Sequence, residues 1–356
     1  MAVPDDPLTA QQWLFPFHAL SSTPTAIDRS LEAEMYDRSR GIEFLFRLGT
    51  SIALHHPGIF TAATWFHRFY MRYSMEDHHR QAVAASCIFL ATKTEECGRK
   101  LRDVARVYCA KARNVDVREI PENGKWVEEA TATILLTEEV LLDALCFDFV
   151  IESPHAALVD LLEAHQVGSL VEDYAWSIAH DSYRTPLCVL YAPKIIATAC
   201  YVLAQYLADG PHATSLDSRI SSAAPSASLP TPPTHKPGSP DQARFAVGYF
   251  RLSADELSSV AESLDLLLEF YRFQESLKLV DYLGKITEVP PPSIASSRPM
   301  LYPPRNANDA DATHQTEPNT QSQTPNSVHG SRTPVEKPPR WAPVVGEPEP
   351  DVHRHT

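Results

Sequence analysis

Glycine is scarce in this sequence, with 12 residues among 356. No Gly-rich loop suited to cradling phosphate is present, and no nucleophile stands beside its base, so the chain is not read as an enzyme. Basic residues are also in the minority. Lys and Arg number 31 against 45 Asp and Glu, a formal net charge of −14, and no block of the chain is basic. Duplex binding needs clustered cations that displace phosphate counterions, so direct nucleic-acid contact is not expected. No apolar run reaches the roughly eighteen residues of a membrane span. The acidic start Met1-Ala2-Val3-Pro4-Asp5-Asp6 lacks the apolar core of a secretory signal, so an intracellular soluble chain is expected. The cysteines at 87, 97, 109, 146, 188 and 200 lack the paired spacing of a zinc site. Cys87 and Cys200 sit in apolar runs as small core hydrophobes, and neither a disulfide framework, a metal nor a cofactor is expected.

Proline, by contrast, is plentiful but local. Fourteen of the 30 prolines follow residue 285 and seven lie between 209 and 242. Low complexity there predicts a disordered insert over 209–242 and a disordered tail over 286–356. The Pro-poor remainder reads as successive helices, the first marked by Ile42, Phe44, Leu45, Phe46, Leu48 and Ile52 and the next four expected near 60–71, 79–96, 99–112 and 126–147. A second series follows near 155–166, 170–184 and 192–208, resuming at 245–252 and around Leu257 to Leu268. His55-His56-Pro57-Gly58 reads as a turn, and Gly98 as a helix stop. The segments are an approach of 1–40, a first unit over 41–150, a second over 151–285 carrying the insert, and the tail. An all-α duplication is the expected architecture.

On the third helix Val83, Ala84, Cys87, Ile88 and Ala91 form one apolar stripe. Phe89, Lys93 and Glu96 fall off it yet share a face at i, i+4 and i+7. Phe89 reads either as an outward aromatic facing a partner or as a cap on the edge of the core. The fifth helix carries Ile134, Leu141 and Leu145 at i, i+7 and i+11, and Glu138 occupies the i+4 place where an apolar residue belongs. An unpaired carboxylate on a dry face costs several kcal/mol, on the order of a lost buried pair, so it needs a cation. Lys93 is the candidate. Such a pair suits gripping another protein and is poor chemistry for catalysis.

Three runs now fall into a pattern: Phe66-His67-Arg68-Phe69-Tyr70-Met71, Phe89-Leu90-Ala91-Thr92-Lys93-Thr94-Glu95-Glu96, and Leu145-Cys146-Phe147-Asp148-Phe149 with Ser153-Pro154-His155. In order and interval they resemble the first box of transcriptional cyclins of the cyclin K and cyclin T kind. Ala175-Trp176 with Asp181-Ser182, and Tyr191-Ala192-Pro193-Lys194-Ile195-Ile196-Ala197, resemble the second box. The resemblance implies tandem five-helix cyclin folds and a nuclear regulatory subunit that activates a cyclin-dependent kinase. That kinase is expected to be of the transcriptional type, acting on the C-terminal repeat domain of RNA polymerase II. By motif, Lys93 and Glu138 match the family's kinase-contacting pair, with Phe89 and Glu96 beside them. Arg40-Gly41-Ile42-Glu43-Phe44 stands where mitotic cyclins carry a substrate-docking signature, so docking through that groove is not expected.

Two other classes compete. His180-Asp181, with His78, His79 and Asp255 drafted as further ligands, describes a helical metal phosphohydrolase. A cyclin-like initiation factor that binds DNA requires a basic surface and usually an N-terminal zinc ribbon, and neither is found. The seven Lys and Arg between Arg99 and Arg118, the first unit's only positive patch, read as a solvated helix face or as a contact for an acidic or phosphorylated partner. The Ser-Pro and Thr-Pro pairs at 231, 239, 324 and 333 suit a proline-directed kinase.

Overall fold

The computed structural model describes residues 12–304 apart from 166, 211–212, 222–242, 278–283 and 294–297. Among the described residues the chain is helical and has no strand. The first half holds α1 (Leu31–Ser51), α2 (His56–Phe69), α3 (Arg80–Thr94), α4 (Leu101–Arg113) and α5 (Lys125–Ala144). The second holds α6 (Pro154–Ala164), α7 (Ser169–Ser182), α8 (Leu187–Leu190), α9 (Pro193–Asp209), α10 (Leu216–Ile220), α11 (Phe245–Tyr249), α12 (Ala254–Ser276) and α13 (Gly284–Thr287). No described helix is long and apolar enough to cross a membrane.

Each half is assembled around one enclosed helix. Every residue from Ala82 to Thr92 of α3 is buried, because α1, α2, α4 and α5 pack around it. The stripe read from the sequence is therefore one sector of a helix that is buried on all sides along this stretch. In the second half α9 takes that place, with Ile195 to Gln205 buried against α6, α7 and α12. Burying a large apolar side chain stabilises by roughly 1.5–3 kcal/mol. Trp65, Phe66 and Phe69 of α2 are all fully enclosed, so packing rather than helix propensity holds these elements. Gly41 is dictated by the α1–α2 crossing: a Cβ there lands 2.2 Å from Cζ of Phe66.

Local chemistry sets the ends. The Ser30 hydroxyl accepts from the Ala33 N–H and opens α1 ten residues ahead of Gly41, so one helix runs through the expected boundary at 40/41. The His55 ring accepts from the Gly58 N–H at 3.2 Å, and Pro57 sits in the first turn where its missing N–H is harmless. What reads as a turn at 55–58 is the start of α2. The α3 helix ends at Thr94, and the left-handed residue after it is Glu96 at φ 53°; Gly98, the expected stop, stands beyond in open space.

The second core also reaches past both expected limits. Within the proposed insert, Leu216, Arg219 and Ile220 of α10 are buried. Beyond Pro290-Pro291-Pro292, where periodicity ends, Arg298 pairs with Asp265 at 2.7 Å and Glu269 at 2.8 Å, and Leu301 and Tyr302 pack into the core against Phe270. Isolated anchors of this kind leave no helical period in the sequence. Residues 222–242 and 305–356, with the four Ser-Pro and Thr-Pro pairs, lie outside the described residues.

Candidate partner-docking site

The register of α3 on α5 is fixed by a buried hydrogen bond from the Ser86 hydroxyl to the Ile134 carbonyl at 2.9 Å. Two turns on from Ser86 and one turn on from Ile134, Lys93 meets Glu138, with Nζ 2.5 Å from Oε1. The pair is asymmetric, since the Glu138 side chain is 7% exposed and that of Lys93 48%. The ammonium lies 4.4 Å above the centroid of the Phe89 ring, a cation–π contact that ties all three side chains together.

Two of the four expected contact residues stand differently from the shared helical face. Phe89 is 8% exposed and belongs to the first core, because α5 covers the face of α3 that carries it. Phe89 thus lies at the edge of the core, directly beneath the ammonium of Lys93. Glu96 is exposed but stands after the end of α3, in left-handed backbone, so helical spacing does not place it beside Lys93.

Exposed apolar side chains stand on α5 near the pair and past the end of that helix. On α5, Leu135 is 46% exposed and Leu142 is half-buried, three residues before and four after Glu138 on the same face. Past the end of α5, Cys146 and Phe147 take φ of 52° and 58°, and Phe147 is left 66% exposed, with Val150 at 77%. Arg72 holds this turn, donating to the Ala144 carbonyl at 3.0 Å and meeting Cys146 Sγ. Next to it Trp13, under the Arg68 guanidinium, donates Nε1–H to Asp148 at 2.8 Å. A polar pair set in an apolar surround suits protein recognition, in which a desolvated centre carries the affinity.

The rival readings lose their residues to structural work. Arg99 donates to the carbonyls of Ile52, Ala53 and Cys97; Arg106 to that of Ile120 and to Glu122; Arg102 to Asn123; and Arg113 lies over the Trp126 ring. Four of the seven cations are thus engaged with loop carbonyls, loop side chains or an aromatic ring. His79 caps α3 and His78 packs on Phe69 and Tyr73. Asp181 accepts from the Tyr271 hydroxyl, and Asp255 sits in the first turn of α12. Among the described residues no group of three or more His, Cys, Asp or Glu side chains is placed to hold a metal ion.

Comparison with known proteins is consistent with this arrangement. Residues 18–150 match the family described as cyclin, N-terminal domain. Cyclin pch1 of Schizosaccharomyces pombe is 39% identical over 210 residues, covering 57% of this chain and 60% of that protein. Cyclin-K of Danio rerio is 32% identical over 197 residues, covering 54% and 45%, and Cyclin-T1-3 of Oryza sativa subsp. japonica is 32% identical over 177 residues, covering 49% and 36%. The chain thus spans less than two thirds of the length of the curated relatives it matches. A chain of the yeast RNA Pol II CTD kinase CTDK-1 complex superposes with a TM-score of 0.58 at 16% identity, covering 84% of this chain and 92% of that one, a likeness of fold. With an enclosed helix at the centre of the first half, residues 18–150 form a cyclin N-terminal domain, and the chain is similar to cyclins of the pch1, K and T kinds.

Proposed function

We propose that this chain is the regulatory subunit of a nuclear, transcriptional cyclin-dependent kinase, and that it docks the kinase through Lys93, Glu138 and the apolar surface around them. The observation that carries the reading is a carboxylate held on a dry face by one half-exposed lysine, with exposed Leu135 one turn away on α5. A fold that needed only stability gains little from such a pair, because apolar residues of the same volume serve a core as well or better. A partner's helix ends and backbone groups supply what the pair is built to meet. Phe89, already enclosed, acts from below by positioning the ammonium, and Leu135, Phe147 and Val150 supply the area that a partner buries. Glu96 contributes from the loop after α3.

Kinase activity requires a Lys–Glu ion pair between the third strand and the C helix, together with an ordered activation loop. A subunit that binds only the inward position of that helix shifts the population toward the active form by its differential affinity. The repeat domain of RNA polymerase II is the substrate under this reading, and the chain meets it through the kinase. In the domain assignment that goes with this reading, 41–150 forms the first cyclin box and 151–285 the second. The test is purification of tagged chain from its own cells, identification of the copurifying kinase and assay of the eluate on a repeat-domain peptide. Recovery of an active kinase by the wild type, and its loss from the Lys93→Ala/Glu138→Ala variant with unchanged helical content, is expected. Full kinase recovery by that variant contradicts the assignment.

A further inference from the structure

The two halves meet across histidines. From α2, His67 is fully buried and its Nε2 lies 2.8 Å from the Tyr183 carbonyl, just past α7. A carbonyl only accepts, so Nε2 carries the proton and donates; Nδ1 is then unprotonated, and no hydrogen-bond partner reaches it. From α6, His155 is 4% exposed and stacks on Phe60 of α2 at 4.0 Å between ring centroids. Its Nε2 lies 3.1 Å from Nδ1 of His180 on α7, and that same Nδ1 lies 3.1 Å from the Trp176 carbonyl. The carbonyl again settles the tautomer. His180 Nδ1 holds a proton, His155 Nε2 accepts, and the remaining proton of His155 is on Nδ1, which is buried without a partner. His56, exposed at the start of α2, closes the group edge-on against His180 at 5.4 Å.

We infer that these neutral imidazoles form an acid-released latch between the two halves. A second proton on His155 must go to Nε2, where it points at the Nδ1–H of His180, and the contact becomes donor against donor. A second proton on His67 places a cation in a fully enclosed site beside Arg38. Few charges are available to compensate. Of the carboxylates on the packed elements, Glu34 is committed to Arg38, Asp181 to the Tyr271 hydroxyl with Arg184 nearby, and Glu95 accepts from Thr61 on α2. Glu43 pairs with Arg40 and faces Arg184 at 3.9 Å. Burial, reinforced by His180 and His56, holds His155 down to about 3, and burial with Arg38 does the same for His67. The pull on His180 is in the same direction, again first from burial. Opening the seam lets all of them regain protons, so acid favours the open form.

Hydrogen exchange on the full chain at about pH 7.5 and about pH 5.5, corrected for intrinsic exchange rates, tests the latch. Protection is expected to fall about tenfold or more at the lower pH in α6, α7 and the first turns of α2, while α3 and α9 keep theirs. Replacing the outer pair by His155→Phe and His180→Gln, which keeps a ring in the stack, is expected to cut the loss of seam protection at the lower pH to the part that His67 supplies. Unchanged seam protection in the wild type, or an equal loss in α3 and α9, overturns the inference. So does a double variant that loses protection as the wild type does. Should the double variant fail to fold, the wild-type comparison alone decides.

Discussion

Glu138 has one partner and little water, whereas Lys93 has water to spare. That asymmetry makes the two single truncations unequal. Lys93→Ala strands a carboxylate on a dry face, at a cost of about 1–3 kcal/mol. Glu138→Ala leaves an ammonium that solvent accommodates, so its effect on stability is smaller. Urea denaturation of the two variants measures the difference, and a cost for Glu138→Ala equal to or above that for Lys93→Ala contradicts the described burial. The pair itself was legible in the sequence, because a carboxylate interrupting an apolar stripe announces its need for a cation. Phe89 was only half legible, since periodicity does not tell a helix enclosed by four others from one resting on a single face. Phe147 was not legible, because its exposure comes from two successive left-handed residues after α5, and neither Cys146 nor Phe147 is a residue type that signals such a turn.

At the level of elements, close approach and anchoring decide more than helix propensity does. Gly41→Ala forces a methyl group into the ring of Phe66 at the α1–α2 crossing. Overpacking of this kind costs typically 1–3 kcal/mol, and thermal unfolding of that variant is expected to show it. A variant as stable as the wild type would mean that α2 shifts freely on α1. Past residue 285 the anchor is Tyr302, whose ring is 1% exposed and whose backbone N–H donates to the buried Glu269. Tyr302→Ala is expected to cost about 3–5 kcal/mol, as for other large aromatics cut from a core, and to lower the denaturation midpoint correspondingly. The helices of the first half were readable from breakers and apolar spacing. The starts of α1 and α2 were not, because Ser30 and His55 act through single hydrogen bonds that leave no periodic trace. The return of 298–302 onto the second core was hidden for a related reason, as three anchoring residues within a Pro-rich run carry no period.

For the molecule as a whole, the histidines set the response to acid. His67 and His155 have folded-state values near 3, far below the ordinary value of 6.5. Below that ordinary value the unfolded chain binds protons that the folded chain refuses. Stability is therefore full at neutral pH and declines as pH falls from about 6.5 toward 3, at up to about 1.4 kcal/mol per pH unit for each such histidine. Denaturation midpoints across that window are expected to fall steadily, and a flat profile contradicts the burial of both rings.

The central claim concerns the face that carries Lys93, Glu138 and Phe147. It is tested most directly by titrating the copurifying kinase against purified full-length variants and measuring the dissociation constant. Phe147→Ala and Lys93→Ala/Glu138→Ala are expected to weaken binding at least about tenfold each, a loss of about 1.4 kcal/mol or more. Trp126→Ala, at the other end of α5 and 51% exposed, is expected to bind as the wild type does. Wild-type affinity in the first two variants, or a loss confined to Trp126→Ala, would contradict the account.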